Sequence, residues 1–203
     1  MGIKENITFF LYCGTSAWTG EKIVRFPKPG NPVFIELLER YREVLDYTGI
    51  KTFFEAGTFN GNNAADFANI FEKVITTENS EYQYNKNRQN HQQNKNISFV
   101  LSDATTHLRE ILKNNPNERM VILLDDHNGF EAYISEELAA IEKYSKTDHI
   151  IIIDDAYNFG RGTYPTFKEI QRLVELCGQG YKITKSDGKL LVYKPTTDLK
   201  AQP

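Results

Sequence analysis

The sequence predicts a single α/β domain in which helices cover both faces of a mostly parallel β-sheet. Strand-like and helix-like segments alternate from residue 33 to residue 153, an order typical of doubly wound parallel sheets. The segment Ile150 to Ile153 consists of four isoleucines without polar alternation, as expected of a strand that is buried on both faces. The segments Tyr181 to Lys185 and Lys189 to Tyr193 flank a turn with a glycine. They predict an antiparallel C-terminal hairpin.

Size and composition limit the class of protein. At 203 residues, with 40% hydrophobic and 25% charged residues, the chain can bury one sizeable core. A net charge of −3 provides no field that attracts a polyanion, so nucleic acid is a disfavoured partner. Cys13 and Cys177 match neither a disulfide framework nor a metal spacing. The apolar run from Ile7 to Cys13 lacks a basic flank. We therefore expect free thiols, no signal peptide, no membrane partner and a cytoplasmic location.

Residues 1–32 are predicted to form an N-terminal arm, and residues 33–203 to form the α/β domain. The part of the arm from Gly14 to Pro32 contains Trp18 and three prolines, which predicts an ordered segment without regular structure. It could cover a helix face or a neighbouring subunit of a homo-oligomer. It could also act as a lid or as a wall of the substrate site, because loops often carry specificity.

The segments after the arm follow one another in the order expected for this fold. Apolar residues at helical spacing predict a helix from Val33 to Leu45 that leads into the first strand. The predicted segments that follow are Thr52 to Glu55, Asn63 to Phe71, Lys73 to Glu78, Ser80 to Gln92, Ile97 to Leu101, Thr105 to Lys113, Met120 to Leu124, Tyr133 to Tyr144 and Ile150 to Ile153.

The stretch K-T-F-F-E-A-G-T-F-N-G, from Lys51 to Gly61, predicts a strand that ends in a nucleotide-binding turn. Gly57 and Gly61 bracket the turn, and glycine lets the backbone approach a ligand and adopt positive φ. Glu78 ends the second strand, where a carboxylate can accept hydrogen bonds from ribose hydroxyls. This pairing predicts an adenosine-containing cofactor.

Acidic residues stand at the carboxyl end of each of the five predicted parallel strands. They are Glu55, Glu78, Asp103, Asp125, Asp126, Asp154 and Asp155. Ligands of open parallel sheets bind at these ends. If the fourth and fifth strands are neighbours, Asp125, Asp154 and Asp155 can converge on one cation, because adjacent strands lie about 4.8 Å apart. Oxygen ligands favour Mg²⁺, with Mn²⁺ and Ca²⁺ as alternatives, over Zn²⁺. In the other interpretation, Asp126 and Asp155 cap the elements that follow.

His127 is the candidate general base, because it lies two residues after Asp125 and imidazole titrates near neutral pH. The alternative is a hydrogen bond within a turn. His91, His107 and His149 are predicted to be structural or exposed to solvent. The loop after the fifth strand contributes three residues that could bind substrate or pack the loop: Tyr157, Arg161 and Tyr164.

Taken in this order, the motifs resemble those of the class I S-adenosylmethionine-dependent methyltransferases. The resemblance is strongest to the branch with cephalosporin-hydroxylase-like and macrolide or sugar O-methyltransferase-like proteins. It covers residues 53–193 and rests on E-A-G-T-F-N-G, Glu78, L-S-D-A, L-L-D-D-H-N-G and I-I-I-D-D-A. It implies a Rossmann-like methyltransferase fold with seven strands and an antiparallel last strand, in agreement with the predicted hairpin. A nicotinamide-binding fold lacks that ending.

The resemblance also implies roles for individual residues. The methionine part of the cofactor would be surrounded by Glu55, Gly57, Thr58 and Gly61. Glu78 would hold the ribose, and Asp103 with Ala104 would border the adenine. The metal carboxylates of divalent-ion-dependent members are matched by Asp125, Asp154 and Asp155. The sequence departs from the family pattern in its G-x-x-x-G turn. It also has Lys146, Thr147 and Asp148 where a glycine pair usually precedes the fifth strand.

These observations predict a methyltransferase in which an acceptor hydroxyl attacks the sulfonium methyl group of S-adenosylmethionine. Mg²⁺ would orient the hydroxyl, and His127 and Asp125 are the predicted catalytic residues. The predicted acceptor is a sugar or another small metabolite. An NAD-dependent oxidoreductase is the enzyme alternative, disfavoured by the missing third glycine and by the C-terminal hairpin. A non-catalytic methyltransferase-like binding protein is the remaining class.

Overall fold

A computed structural model describes residues 33–128 and 131–195, together with two short strands of the N-terminal arm. These strands, β1 (Ala17–Thr19) and β2 (Lys22–Val24), pair antiparallel, with Trp18 opposite Ile23. The arm was predicted to lack regular structure, and the hairpin corrects that prediction for these residues. The rest of residues 1–32, and with it the prediction of a lid or subunit contact, lies outside the described residues.

In the part of the chain that the structure describes, seven α-helices and nine further strands follow the arm. The strands are β3 (Thr52–Ala56), β4 (Lys73–Glu78), β5 (Ile97–Leu101), β6 (Met120–Leu124), β7 (His127–Asn128), β8 (Glu131–Ala132), β9 (Ile150–Ile153), β10 (Lys182–Ser186) and β11 (Lys189–Tyr193). The helices are α1 (Val33–Arg40), α2 (Arg42–Leu45), α3 (Asn62–Phe67), α4 (Glu81–Asn90), α5 (Ala104–Asn114), α6 (Ile134–Tyr144) and α7 (Phe167–Cys177).

The central sheet has seven strands in the order β10-β11-β9-β6-β3-β4-β5. Strands β3, β4, β5, β6 and β9 are parallel, and β11 pairs antiparallel with both β9 and β10. The predicted fold is therefore confirmed, including the antiparallel ending. The chain order reverses between β3 and β6, which places the switch point of the sheet between these two strands.

Apolar layers cover both faces of the sheet. Phe53 packs against Phe67 of α3 with ring centroids 3.8 Å apart, whereas Phe54, the next residue, joins the core layer that contains residues of α5, α6 and α7. Neighbouring residues of one strand thus serve opposite faces. All four isoleucines of β9 are fully buried. This burial explains why the strand sequence has no polar alternation.

Most predicted element bounds agree with the structure within about two residues, but the helix predicted from Asn63 to Phe71 ends at Phe67. The helix predicted from Val33 to Leu45 is divided at Tyr41 into α1 and α2. Helix α7 was not predicted, although Thr166 and Glu169 form a capping box at its start and its buried residues recur at helical spacing. The hairpin of β7 and β8 was also not predicted, because two-residue strands carry no periodic signal. Among the described helices, none has both the length and the apolar character to cross a membrane.

Candidate active site at the switch point

The predicted acidic residues lie at one edge of the sheet, where the parallel strands end. Glu55 and Glu78 lie within the last two residues of β3 and β4, and Asp103 follows β5 as the N-cap of α5. The backbone ladder continues past β6 and β9. Asp125 N donates to Ala56 O at 3.2 Å, and Asp154 N donates to Leu124 O at 3.1 Å. The predicted neighbourhood of the fourth and fifth parallel strands is therefore confirmed, and their acidic ends lie side by side.

The turn after β3 is held against the end of β4. Thr58 N donates to Thr77 O at 2.8 Å, and Phe59 N donates to Glu78 Oε2 at 3.1 Å. Glu78 Oε1 accepts a second hydrogen bond from Ser80 N at 2.9 Å. Phe59 adopts positive φ (48°), which is rare for a residue with a side chain and is concentrated at functional sites. The two hydrogen bonds fix the orientation of the Glu78 carboxylate toward the turn.

Gly57 is required by a close approach between two strand ends. Its φ is +88°, and a Cβ atom at this position would lie 2.7 Å from Asp125 O, a backbone atom. Neither feature is compatible with an L-residue. Gly57 therefore lets the turn pass directly over the end of β6, which brings the turn and Asp125 into one crevice.

Helix α4 supports the turn from behind. Asn87 is its fully buried residue, and its Nδ2 donates to Phe59 O at 2.7 Å. His91 Nε2 lies 3.3 Å from Asn60 O. A Cβ on Gly61 would come within 2.9 Å of the same nitrogen. His91 is thus structural, as predicted. Both His91 and Asn87 hold the turn in position, a role that the polar sequence of α4 did not reveal.

The other two predicted structural histidines also lie away from the acidic crevice. His149 is fully buried, accepts a hydrogen bond from Met120 N at 3.2 Å, and has Nε2 2.7 Å from Ser145 Oγ. Burial lowers the pKa of His149 to about 4, so it is neutral at pH 7. His107 lies 3.3 Å from Glu110 Oε2 within α5.

Glu55 is fully buried beneath the turn. Thr76 Oγ1 lies 2.6 Å from Glu55 Oε2 and 2.7 Å from Thr58 Oγ1, which in turn donates to Thr77 O at 2.9 Å. Within the described ranges, Glu55 Oε1 has no hydrogen-bond partner. Burial raises the pKa of Glu55 to about 8. Thr76 Oγ1 donates to Glu55 Oε2, and the raised pKa favours a neutral Glu55 carboxyl group at pH 7 within this network of hydroxyl groups.

Asp125, His127 and Asp155 form the compact polar cluster of the crevice. One donor atom from each residue lies within 4.8 Å of the others. His127 Nε2 is 3.1 Å from Asp155 Oδ2 and 3.8 Å from Asp125 Oδ1. Tyr164 OH donates to Asp155 Oδ2 at 3.1 Å. Burial and the neighbouring carboxylates of Asp154, Glu55 and Asp155 together raise the pKa of Asp125 to about 8. Positive charge at this cluster would relieve that repulsion.

Asp154 has a different environment from the two other predicted metal ligands. Its Oδ1 lies 3.2 Å from Lys189 Nζ of β11 and accepts a hydrogen bond from Asp155 N at 2.7 Å. Because Lys189 comes from the antiparallel strand, sequence spacing could not reveal this pair. The structure therefore brings His127, and not Asp154, together with Asp125 and Asp155. The two oxygen donors and one imidazole nitrogen are compatible with a divalent cation, including metals that accept nitrogen ligands, such as Mn²⁺.

Asp103 and Asp126 line the side of the crevice nearest β4 and β5. Asp103 Oδ1 accepts a hydrogen bond from Thr106 N at 2.7 Å, so this residue caps α5. Burial raises the pKa of Asp126, and the charges of Asp103 and Glu78 add to the effect. Ala104 is nearly fully buried at the start of α5. Glu137 of α6 is a further buried carboxyl group, which sequence reasoning did not identify.

The three residues of the loop after β9 have different environments. Tyr164 is buried and holds Asp155. Tyr157 and Arg161 are exposed near the same loop. Tyr164 therefore has a structural role that involves the cluster directly. A hydrogen bond with Asp155 raises the pKa of Tyr157 to about 12, so Tyr157 also contacts the cluster.

Comparison with solved structures identifies the class of fold. The chain is similar to a protein from Klebsiella pneumoniae assigned as an O-methyltransferase, with a TM-score of 0.55, 16% identity and coverage of 83% of this chain and 92% of that chain. A protein from Streptococcus mutans assigned as a methyltransferase, in complex with SAH, gives a TM-score of 0.53, 14% identity and coverage of 81% and 98%. Magnesium protoporphyrin IX methyltransferase from Synechocystis, with bound SAM, gives a TM-score of 0.53 and 12% identity, with coverage of 80% of this chain and 76% of that chain.

These similarities establish a Rossmann-like methyltransferase fold of class I. No protein-family model matches the sequence, and no curated protein sequence matches it either. Structural similarity at this low identity shows the fold alone. The assignment to the cephalosporin-hydroxylase-like branch stays a prediction, and the reaction must be argued from the site.

Proposed function

We propose that the protein is an S-adenosylmethionine-dependent methyltransferase that acts on a hydroxyl group of a small molecule, with a sugar as the first acceptor to test. The observation that supports this proposal most strongly is the turn from Gly57 to Gly61 against Glu78, at the switch point of a methyltransferase fold. Two of the similar structures are solved with SAH or SAM. The same crevice here has the polar groups that an adenosine cofactor requires.

The proposed cofactor site runs along the ends of β3, β4 and β5. Each carboxylate oxygen of Glu78 accepts one backbone N–H and keeps a lone pair for a ribose hydroxyl. Asp103 and Ala104 border the adenine, in line with the family resemblance. The methionine part lies over the turn, next to Glu55, Gly57, Thr58 and Gly61. The bound cofactor supplies an activated methyl group.

His127 and Asp125 are the proposed catalytic residues. His127 is partly exposed, and its Nε2 lies beside the carboxylate of Asp155, which would stabilise a proton taken up by the imidazole. An acceptor hydroxyl that reaches Nε2 from the crevice can transfer its proton there. Asp125 lies at the end of β6, next to His127. The residues thus contribute orientation and electrostatics, which are the main means of accelerating a methyl transfer.

For a divalent cation, we propose the ligands Asp125, Asp155 and His127, with Asp154 excluded because Lys189 occupies one of its oxygens. This set replaces the predicted set of Asp125, Asp154 and Asp155. A cation on His127 Nε2 would prevent the same nitrogen from acting as a base. The two roles are therefore alternatives, and a comparison of activity with metal and with chelator separates them.

The negative charge of the crevice also limits which acceptor molecules can bind there. Asp125, Asp126, Asp154 and Asp155 all lie at the ends of β6 and β9, and in the described part of the site Lys189 is the cation that pairs with one of them. Such a site repels phosphate groups. A neutral, hydroxyl-rich acceptor fits it better than a nucleic acid or a phosphorylated metabolite does.

Isothermal titration calorimetry tests the proposed cofactor class. SAM, SAH and NAD are titrated separately, each with Mg²⁺, with Mn²⁺ and with chelator. We expect SAM and SAH to bind with a dissociation constant on the order of micromolar, about 8 kcal/mol, and NAD not to bind. Binding of NAD alone would support an oxidoreductase, and binding of none would support the non-catalytic alternative. An acceptor screen with methyl-labelled SAM then tests turnover on sugars.

A further inference from the structure

The loop between β9 and α7 is held at both ends and within itself. At its start, Ala156 N donates to Gly188 O at 2.7 Å, which ties the loop to the turn between β10 and β11. Its end is the capped N-terminus of α7. Inside the loop, Gly160 N donates to Tyr164 O at 3.2 Å. A loop that is anchored in this way can hold residues of other segments in fixed positions.

Thr163 of this loop holds the hairpin that carries His127. Its Oγ1 accepts a hydrogen bond from Ala132 N at 2.8 Å and donates to Ala132 O at 3.2 Å. Ala132 lies directly opposite His127 in the pair of β7 and β8. These strands have two residues each, and an isolated two-stranded hairpin has little stability in water. The contacts from Thr163 therefore help to fix the position of His127.

The next residue, Tyr164, holds Asp155. Its side chain is buried, and its OH donates to Asp155 Oδ2 at 3.1 Å. The ring of Tyr164 also lies beside that of His127, with ring centroids 6.4 Å apart. Asp155 adopts positive φ (57°), a backbone conformation that persists where surrounding contacts hold it. Two consecutive loop residues thus hold the two partners of one pair, His127 and Asp155.

The separation within this pair suits two neighbouring ligands of one cation. His127 Nε2 lies 3.1 Å from Asp155 Oδ2. Adjacent ligands of an octahedral ion with bonds of about 2.1 Å are about 3 Å apart. The third proposed ligand atom, Asp125 Oδ1, lies further from the nitrogen, at 3.8 Å. The loop therefore holds the part of the ligand set that already has the separation a cation requires.

We propose that Thr163 and Tyr164 are positioning residues for the cation site, because they hold two of its ligands at a fixed separation. The inference rests on the proposed function, since it uses the proposed ligands Asp125, His127 and Asp155. Groups that hydrogen-bond to metal ligands orient them, and the loss of such a group typically weakens metal binding about 10- to 100-fold. Tyr164 acts on a carboxylate ligand directly. Thr163 acts on the histidine ligand through the opposite strand of its hairpin.

The test measures Mn²⁺ binding by electron paramagnetic resonance for the wild-type protein and for Tyr164→Phe and Thr163→Val, each of which removes one hydroxyl group. We expect each variant to bind Mn²⁺ about tenfold more weakly. Thr163→Ser is a matched control, because it keeps the hydroxyl group and should bind Mn²⁺ as the wild type does. Tyr181→Phe is the second control. Its OH accepts a hydrogen bond from His149 N at 2.9 Å, at the opposite end of β9, so its loss should leave Mn²⁺ binding unchanged.

Pulsed electron paramagnetic resonance adds a measurement that a loss of stability alone would not change. A histidine nitrogen bound to Mn²⁺ modulates the electron spin echo, and His127→Ala identifies that signal. We expect the nitrogen signal of the bound ion to be weaker in Thr163→Val than in Tyr164→Phe, because Thr163 acts on the imidazole and Tyr164 on the carboxylate. Equal signals in the two variants would show that Thr163 does not position His127.

The outcomes separate the inference from the proposed function. If the wild type binds Mn²⁺ and both Tyr164→Phe and Thr163→Val bind it equally tightly, the inference is wrong and the proposed ligands stand. If the wild type itself does not bind Mn²⁺, the proposed cation site is wrong and the inference falls with it. Thermal unfolding shows whether each variant is folded. If Tyr164→Phe is not, Thr163→Val decides, because Thr163 is exposed and its substitution leaves the core intact.

Discussion

The two halves of the crevice differ in the environment of their charged groups. On the cofactor side, the turn after β3 is fixed by hydrogen bonds from Thr58, Phe59 and Asn87, and both oxygens of Glu78 accept backbone N–H groups. On the acceptor side, Asp125 and Asp155 flank a partly exposed His127, and burial and the neighbouring carboxylates raise the pKa of Asp125. The cofactor side is preorganised. On the acceptor side, a cation or a proton is needed to balance the neighbouring carboxylates.

Gly57→Ala should break the preorganised side and give the largest effect. The new Cβ would meet Asp125 O at 2.7 Å at a φ of +88°, and we expect a loss of about 2–4 kcal/mol in the free energy of unfolding. Gly180→Ala is the control, because Gly180 has the same φ and no described atom within 4 Å of the new Cβ. It should lose only about 1–2 kcal/mol. Denaturant unfolding of both variants measures the difference, and equal losses would show that the contact with Asp125 is unimportant.

The pH dependence of stability tests the protonated state of Glu55 beneath the turn. Burial raises the pKa of Glu55 to about 8 in the folded protein, against an ordinary value of 4.5 for a glutamate side chain. Between these values the folded state holds a proton that the unfolded state has lost. Stability therefore falls as pH rises through this window, by at most about 1.4 kcal/mol per pH unit for this proton.

Glu55→Gln removes this titrating group. The free energy of unfolding should therefore depend less steeply on pH between about pH 5 and pH 8 in the variant than in the wild type. Asp125 also has a raised pKa, so the remaining slope in the variant should still be downward. An identical slope in wild type and variant would show that Glu55 is ionised in the folded protein.

Glu78→Ala tests the proposed ribose contact on the cofactor side. We expect the affinity for SAH to fall by about 1–3 kcal/mol, the range for a hydrogen bond to a charged group. Glu81→Ala is the control, because Glu81 is exposed on the neighbouring helix α4. Calorimetry with SAH measures both variants. An unchanged affinity in Glu78→Ala would remove Glu78 from the cofactor site.

A comparison of Asp155→Asn with Asp154→Asn should give the smallest effect and tests the acceptor side. Asp155 belongs to the cluster with His127, whereas Asp154 is paired with Lys189. We expect Asp155→Asn to weaken Mn²⁺ binding by roughly tenfold, about 1.4 kcal/mol, and Asp154→Asn to weaken it less. Electron paramagnetic resonance of free Mn²⁺ measures binding. A larger loss in Asp154→Asn would restore the ligand set that the sequence predicts.

The sequence predicts the fold well because its central strands β3, β6 and β9 are buried on both faces, and because acidic residues stand at the carboxyl ends of the parallel strands. Strands β4, β5, β6 and β9 have the predicted bounds, since apolar runs of this kind have few alternative structures. The hairpin of β10 and β11 was predicted from its turn, where Asp187 and Gly188 both have positive φ. Local sequence was enough for these features.

The site could be predicted only in part, because several of its contacts join distant segments. Asn87 reaches the turn at Phe59 from 28 residues away, and Tyr164 reaches Asp155 across a loop. Lys189 comes from a strand whose position relative to the crevice depends on the folded sheet. Sequence spacing carries no signal for such pairs. Residues at strand ends are predictable, but their partners are known only from the structure.

The measurement that tests the central claim most directly is a crystal structure of the protein with SAH. We expect the ribose hydroxyls to lie within hydrogen-bond distance of Glu78 and the methionine part to lie over the turn from Gly57 to Gly61. We also expect adenine beside Asp103. Binding of SAH elsewhere on the chain, or a crevice occupied by an unrelated ligand with SAH excluded, would contradict the proposed cofactor site.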